Sequence, residues 1–410
     1  MRLVSLFIAL LLAACSSTSL KQYPPLDPIV KKIDVKPLWV AEVGQKSFLE
    51  SRQFTVGIGG SHVFLADAKG NISALDQKDG SVIWTKALGD LVSSGPKVDG
   101  DLLYVGSNEA WLYALNSKSG DVVWKTKLSS EILSDPAVSG NYLYLQTIDG
   151  KLYSLDRKTG NKVWVDSREV PALTLRGTSA PIVSGSQVIA GFANGKLVAL
   201  ESGTGRRIWE TSISVASGRT DLQRMIDIDG SIQADNDHIY AATYQGRIAA
   251  VSKLNGRTTW SREMSAFNGV KLSGEQIFLS DSSDHIWSID RKTGATIWRQ
   301  DKLEGRDVTG VSVLEGLVIV ADGAGYVHWL SSEDGSFLSR EYLLETYGWA
   351  YHDFEDDNRK ESDFGVSNEL IVANNKLYVR SNMGALSVFQ LPALPSVTTS
   401  VIPSIAPKNN

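Results

Sequence analysis

Residues 150–164 read GKLYSLDRKTGNKVW, and variants of this string recur along the whole chain. The other copies cover residues 70–84, 110–124, 195–209, 246–260, 284–298 and 325–339, and the last of these ends in Ser339 instead of a tryptophan. In the string, Leu152 and Ser154 alternate with Tyr153 and Leu155, which is the period of a β-strand. The following Thr-Gly pair predicts a tight turn, because glycine adopts a positive φ at little cost.

The spacing of the copies indicates the architecture. Tryptophans at positions 39, 84, 124, 164, 209, 260 and 298 are 38 to 51 residues apart. Each repeat also has two apolar stretches before the string, so it contains four short antiparallel strands, and such a unit of about 40 residues is typical of a β-propeller blade.

The two ends of the repeat array predict how the ring closes. Residues 369–391 supply three strands of a blade, whereas residues 37–40 supply a lone tryptophan strand. Joining them completes one more blade and removes open sheet edges. The sequence therefore predicts an all-β, eight-bladed propeller over residues 37–391, made of four-stranded antiparallel blades, with the last blade closed by the N-terminal strand.

The N-terminus has the layout of a bacterial export signal, an arginine followed by an apolar run and two alanines. We interpret residues 1–14 as a signal peptide and residues 15–36, which contain several prolines, as a lipidated flexible tether. Cys15 is the only cysteine of the 410 residues and is predicted to carry the lipid. Because Ser16 follows it instead of an aspartate, we expect the protein to lie at the outer membrane, facing the periplasm. Residues 392–410 form a proline-containing C-terminal tail.

Several classes of function find no support. The net charge of −5 is spread without a basic block, so a nucleic-acid partner is not expected. The five histidines are scattered over different repeats without metal-ligand spacing, and the acidic run at 353–357 does not match a calcium loop. No glycine-rich phosphate loop or nucleophile elbow occurs. We therefore predict no catalytic residues, no metal and no cofactor.

Three connections between repeats are unusually long, and they cover residues 166–179, 211–230 and 340–367. Each follows the last strand of a repeat, at the tryptophan position, so all three are predicted on one face of the disc, with the Thr-Gly turns on the other. Insertions on one face of a repeat protein commonly mark its binding surface. The first two connections flank one blade and should lie side by side.

These two connections contain the candidate binding residues. Leu173 and Leu175 would be exposed apolar anchors and Arg176 a planar donor of several hydrogen bonds. Asp227 and Asp229 would pair with Arg176 or meet a basic partner. The alternative is that the Leu-Thr-Leu segment begins a buried strand and that the aspartates cap a turn.

The repeat resembles that of the pyrroloquinoline-quinone-type propellers, over residues 37–391. Together with Leu-Ala-Ala-Cys at 12–15, it is similar to the BamB family of lipoproteins. Residues 173–181, LTLRGTSAP, are similar to that family's L-x-L-R-G-x-S-A-P, and residues 227–229, DID, to its D-x-D. After Asp229 this chain has Gly230-Ser231 where the family usually carries a longer polar and proline element, which leaves the shape of the second loop open.

The resemblance implies a non-enzymatic scaffold of the outer-membrane β-barrel assembly (Bam) complex. It implies binding to the periplasmic POTRA domains of the barrel-forming subunit through Leu173, Leu175, Arg176, Asp227 and Asp229, and help with folding and insertion of β-barrel proteins. Nascent outer-membrane proteins are a second possible partner. Two alternatives stay open. A quinoprotein-like dehydrogenase would need a vicinal cysteine pair, which a chain with one cysteine lacks, and a saccharide-binding envelope propeller would bind sugars and not co-purify with assembly subunits.

Overall fold

The computed structural model describes residues 22–43, 54–67, 69–175, 177–314, 316–346 and 365–390. In these ranges the chain forms eight four-stranded antiparallel sheets arranged as a propeller, which confirms the predicted architecture. Helical structure in the described residues is limited to a 3-10 turn, Leu222–Arg224, and a short α-helix, Leu343–Thr346. None of the helices described is long and apolar enough to cross a membrane.

Seven blades are continuous in sequence. Blades 1 to 3 contain β2 (Gly57–Gly59), β3 (His62–Ala66), β4 (Asn71–Asp76) and β5 (Val82–Ala87); β6 (Val92–Asp99), β7 (Leu102–Ser107), β8 (Trp111–Asn116) and β9 (Val122–Lys127); and β10 (Ala137–Ser139), β11 (Tyr142–Thr147), β12 (Lys151–Asp156) and β13 (Lys162–Ser167). Blades 4 and 5 contain β14 (Ile182–Ser184), β15 (Gln187–Gly191), β16 (Lys196–Glu201) and β17 (Arg207–Ser212); and β18 (Gln233–Ala234), β19 (His238–Ala242), β20 (Arg247–Ser252) and β21 (Thr258–Glu263). Blades 6 and 7 contain β22 (Lys271–Ser273), β23 (Gln276–Ser280), β24 (Ile286–Asp290) and β25 (Thr296–Gln300); and β26 (Ser312–Leu314), β27 (Leu317–Ala321), β28 (Tyr326–Ser331) and β29 (Phe337–Tyr342).

Blade 8 is built from both ends of the ring. It contains β30 (Ile371–Ala373), β31 (Lys376–Arg380) and β32 (Ala385–Gln390), and its outer strand is β1 (Pro37–Glu42). In the antiparallel pairing of β1 with β32, Trp39 faces Val388 and Glu42 faces Ala385. The predicted closure by the N-terminal strand is therefore confirmed.

Each repeat tryptophan forms the seam to the next blade. Trp124 of blade 2 donates its indole N–H to the carbonyl of Arg157 in blade 3, at 3.2 Å, and its ring covers Gly160. The same bond recurs from Trp39 to Gln77, Trp84 to Ser117, Trp164 to Ser202, Trp209 to Lys253, Trp260 to Arg291 and Trp298 to Ser332. These seven tryptophans therefore pack between neighbouring blades.

The Asp-x-x-Thr-Gly turn positions the glycine under the tryptophan. The Asp156 carboxylate accepts hydrogen bonds from the backbone N–H groups of Lys158 and Thr159 and from the Thr159 hydroxyl, at 2.9 to 3.0 Å. Gly160 then closes the turn at φ 73°. A side chain here would be strained by this φ, and its Cβ would lie 2.5 Å from Trp124 Cε3, so the turn and the seam require the same glycine.

Substitution of this glycine is expected to weaken the seam. Gly160→Ala should lower the free energy of unfolding by roughly 3 kcal/mol, because strain at positive φ of roughly 1–2 kcal/mol is joined by the clash with Trp124. Gly140→Ala is the matched control, since Gly140 has φ 58° but nothing within 4 Å of the added Cβ. Urea unfolding of both variants measures the difference, and equal losses would contradict the seam.

The seam between blades 7 and 8 differs from the others. Ser339 stands at the tryptophan position, and blade 8 has no Thr-Gly turn because its outer strand comes from the other end of the chain. Ile33 and Val35, which precede β1, are buried there together with Trp329 and Phe389. The residues just before the ring thus fill the space that a tryptophan fills elsewhere.

Some predictions fall on residues that the structure does not describe. The signal peptide (1–14), the lipidated Cys15, the acidic run at 353–357 and the tail (392–410) lie outside the described residues, as does Arg176. Residues 22–36 of the predicted flexible tether are described, and they pack against blade 7 with Ile33 and Val35 buried. In this part the expectation of a free tether does not match the structure.

Candidate functional site

The alternation of strand direction places the long connections on one face. In each antiparallel blade, the connection to the next blade and the turn between the second and third strands lie at the same end, and the Thr-Gly turns lie at the other. We call the first end the loop face. Residues 168–175 and 177–181 of the first connection and 213–232 of the second lie on it and flank blade 4, as predicted. The described parts of the third connection, 343–346 and 365–370, lie on it on either side of the gap between blades 7 and 8.

A partly buried hydrogen bond joins the first two connections. The backbone N–H of Leu175 donates to Asp227 Oδ2 at 2.5 Å, and the Asp227 side chain is only 1% exposed. Beneath this bond, Ile228 packs against Gly191 of β15, where a Cβ would lie 2.4 Å from Ile228 Cγ2. The two predicted loop segments are therefore one joined surface.

The predicted site residues divide by exposure. Leu173 is 43% exposed, Leu175 is half-buried, and neither belongs to a strand, so the alternative of a buried strand does not apply. Asp227 is buried, which corrects the expectation that it contacts a partner directly, because its carboxylate is used inside the protein. Asp229 is half-buried and lies against Gly177, with its carboxyl carbon 2.9 Å from the position of a Cβ there.

Burial gives both aspartates raised pKa values. Burial raises the pKa of Asp227 to about 6, and the hydrogen bonds from the backbone of Leu175 and Ile226 limit the rise. The pKa of Asp229 rises further, to about 8, because of burial and then the charge of Asp227. Neither oxygen of Asp229 has a hydrogen-bond partner within the described part of the chain, so no donor there favours its ionised form.

The raised pKa of Asp229 predicts a pH-dependent stability. The unfolded chain releases this proton near pH 4, whereas the folded protein holds it up to about pH 8. The stability linked to the proton is thus fully present below pH 4 and is lost as the pH rises through 8.

An asparagine at position 229 does not titrate. Between pH 5 and pH 9 we therefore expect the free energy of unfolding of the wild type to fall by at least about 1 kcal/mol more than that of Asp229→Asn. Urea unfolding at the two pH values measures this difference. Asp237→Asn, at an exposed position, is the control. If the stability of Asp229→Asn depended on pH in the same way as that of the wild type, the raised pKa of Asp229 would be contradicted.

A cavity of about 400 Å³ opens beside this joint, where the first strands of the blades converge. Its wall contains residues of all eight blades or of the connections that lead into them, namely Thr55, Ser93, Leu133, Ser134, Asp135, Leu175, Gly177, Thr178, Ala180, Asp229, Gly230, Ser231, Phe267, Asn268, Gly310, Ser367 and Glu369. Phe267 is 41% exposed, so the apolar surface continues past the two predicted loops.

The sequence reasoning missed two of these residues. Asp135 accepts hydrogen bonds from the Thr55 hydroxyl and the Gly95 backbone N–H, both at 2.9 Å, and burial raises its pKa. Phe267 lies in a short connection that drew no attention. For Asp135 the available signal was a recurring small-residue and proline segment at the start of a blade, SGP at 94–96 within β6, SDP at 134–136 before β10 and SAP at 179–181 before β14.

The sequence lacks the vicinal cysteine pair on which the quinone-dependent dehydrogenase alternative depends. One cysteine cannot form a vicinal disulfide. Within the described ranges, no group of three or more His, Cys, Asp or Glu side chains is placed to hold a metal ion. The observed surface has two exposed apolar side chains, Leu173 and Phe267, beside the partly buried carboxyls of Asp135 and Asp229.

Comparison with known proteins gives a consistent family. A family model described as outer membrane protein assembly factor BamB matches residues 68–300. BamB of Pseudomonas aeruginosa is 36% identical over 388 residues, which cover 94% of this chain and 97% of that protein. The crystal structure of BamB from Moraxella catarrhalis is similar in fold, with a TM-score of 0.76 at 24% identity, covering 87% of this chain and 100% of that one.

A quinohemoprotein alcohol dehydrogenase from Comamonas testosteroni also aligns, with a TM-score of 0.67, covering 88% of this chain and 78% of that one. The sequence identity is only 12%. This likeness is therefore one of fold.

Proposed function

This chain belongs to the BamB family of outer membrane protein assembly factors, and we propose that its loop face binds the POTRA domains of the barrel-forming subunit of the Bam complex. In this proposal the protein is a scaffold without catalytic activity that assists folding and insertion of β-barrel proteins. The observation that carries the proposal is the bond between Leu175 and Asp227, because it joins the two family-like segments into one surface.

The individual residues have different roles in this surface. Leu173 is exposed in the first loop and is the apolar anchor. Arg176, three residues further along the chain, is the planar donor of several hydrogen bonds. Asp227 contributes indirectly, by holding the first loop through its carboxylate. Asp229 lies at the cavity wall next to the anchor loop. Apolar and arginine side chains surrounded by polar groups are the usual centre of a protein–protein interface.

The proposal includes attachment to the outer membrane on its periplasmic side. Cys15 follows a short apolar run and two alanines, and acylation of this thiol together with the new N-terminus would hold the protein at the membrane, since several acyl chains are needed for stable anchoring. Nascent outer-membrane proteins are a further candidate partner.

The direct test is capture of the barrel-forming subunit from detergent-solubilised envelopes. Leu173→Asp places a charge at the apolar anchor and is expected to weaken capture at least about tenfold, the effect of losing an anchor worth roughly 1.4 kcal/mol or more. Leu254→Asp is the matched control, because Leu254 is 81% exposed in the blade 5 turn on the opposite face.

Circular dichroism should show both variants folded. Equal capture by the two variants would refute the assignment of the loop face. Absence of the barrel-forming subunit from the wild-type eluate, with retention on polysaccharide, would favour the saccharide-binding alternative.

A further inference from the structure

Residues 23–36 form a strap that is fastened to blade 7. The fastening begins at Arg306, whose side chain is only about 4% exposed and whose Nε lies 2.7 Å from Asp322 Oδ2. One terminal nitrogen of Arg306 donates to the backbone carbonyl of Pro24, and the guanidinium lies 5.8 Å from the centre of the Tyr23 ring. A buried arginine that is paired with a carboxylate through Nε thus donates to the strap through one of its terminal nitrogens.

The surface of blade 7 is shaped for the Tyr23 side chain. The Tyr23 hydroxyl donates to Asp307 Oδ2 at 3.3 Å. A Cβ on Gly323 would lie 2.3 Å from the Tyr23 hydroxyl oxygen and 2.8 Å from Cζ. Because Gly323 lacks a side chain, the tyrosine ring can lie flat in this place.

Further contacts follow along the outer strand β29. Arg340 donates to the carbonyl of Asp27 at 2.9 Å, and the Asp27 carboxylate lies 3.1 Å from Lys302 Nζ. Lys31 pairs with Glu341 at 2.6 Å. The strap then meets the sheet, with the backbone N–H of Lys32 donating to the carbonyl of Leu338 at 2.7 Å.

The direction of the strap is fixed by the elements that hold it. Arg306 and Asp307 lie in the connection from β25 to β26, and Gly323 lies in the turn from β27 to β28. Both connections belong to the loop face. The strap therefore starts at Tyr23 on the loop face and runs along β29 towards the opposite face, where β1 begins.

We propose that the strap shortens the lipid tether to residues 15–22 and turns the loop face towards the lipid surface. Eight residues reach at most about 25–30 Å, whereas a free tether of residues 15–36 would reach about 75 Å. This inference rests on the lipidation of Cys15 in the proposed function. In this orientation the partner-binding face is directed towards the membrane that contains the barrel-forming subunit.

The first test measures docking of the strap by hydrogen exchange on the purified full-length protein in detergent. The backbone amides of Lys32 and Ile33, which donate to the Leu338 carbonyl, should exchange at least about tenfold more slowly than in Tyr23→Ala or Gly323→Ala, which remove the ring or its place without touching the Arg306–Asp322 pair. Amides that exchange as fast in the wild type as in both variants would overturn the strap.

The second test measures orientation on vesicles of phosphatidylethanolamine and phosphatidylglycerol with a headgroup acceptor dye. A donor dye is attached to an introduced cysteine, either Ser217→Cys on the loop face or Arg206→Cys in the turn at the other end of blade 4. The two labels are roughly 20 Å apart along the strands, so we expect roughly twofold more energy transfer from Ser217→Cys, and a ratio near one after Tyr23→Ala.

A ratio near one in the wild type, or an unchanged ratio after Tyr23→Ala, would refute the orientation. Failure of the proposed function is distinguishable. A protein that does not bind the vesicles at all lacks the lipid anchor, whereas the hydrogen-exchange result still decides whether the strap is docked.

Discussion

Deletion of residues 1–42 is expected to abolish cooperative folding of the propeller. The deletion removes β1 and with it the pairing to β32, the seam of Trp39 on Gly80, and the buried Ile33 and Val35. Loss of a fully buried tryptophan or two buried aliphatic side chains costs about 3–5 kcal/mol; partly buried Trp39 contributes a share of this and the buried Ile33 and Val35 add to it. A typical domain has only about 5–15 kcal/mol of stability. The exposed edge of β32 would also be open to pairing with other molecules.

The matched control is deletion of residues 1–21, which leaves every described residue in place. This shorter deletion should keep the wild-type thermal midpoint and the monomeric elution volume. Thermal unfolding by circular dichroism and gel filtration compare the two proteins. A monomeric 43–410 fragment that melts within a few degrees of the control would show that the ring does not depend on its N-terminal strand.

Asp227→Ala is expected to reduce capture of the barrel-forming subunit roughly tenfold or more, although residue 227 itself is buried. The substitution leaves the Leu175 N–H without its acceptor and frees the first loop from the second. A hydrogen bond to a charged group contributes about 1.5–3 kcal/mol, which corresponds to roughly ten- to a hundredfold in affinity when only the joined loops bind.

Asp227→Asn distinguishes the hydrogen bond between the two loops from the negative charge of the Asp227 carboxylate. Its side-chain oxygen can still accept the Leu175 N–H, so capture should stay close to that of the wild type. Equilibrium binding to the purified POTRA domains, with the free energy of unfolding measured beside it, gives both quantities. Equal losses of capture in the two variants would point to a direct contact of the carboxylate with the partner.

The propeller fold could be predicted from the sequence because one 15-residue pattern recurs in seven copies along the chain. The glycine of the turn recurs in all seven copies, the tryptophan in six of them, and a polar residue stands at the Asp156 position in each. In blade 3 the structure shows one function for each of Asp156, Gly160 and Trp164, as turn cap, turn closure and seam. The lone strand at 37–40 could then be assigned as the fourth strand of the incomplete C-terminal blade. The positions of the two long connections beside blade 4 followed from strand alternation alone.

The details of the site depended on contacts that no local pattern carries. Asp227 appeared as a surface residue of a loop, and only the packing of Ile228 on Gly191 shows why its carboxylate is buried. Residues 22–36 were predicted as part of a flexible tether because several prolines are typical of linkers. The contacts of the strap with Arg306 and Glu341 join residues about 280 to 310 positions apart, and sequence spacing gives no signal for them.

Site-specific photo-crosslinking in intact cells tests the central claim most directly, namely that the joined loops of the loop face are the docking surface. A photoreactive phenylalanine analogue at position 173 should crosslink to the barrel-forming subunit, and the same analogue at position 254, on the opposite face, should not. Crosslinks to that subunit from position 254 and none from position 173 would contradict the account.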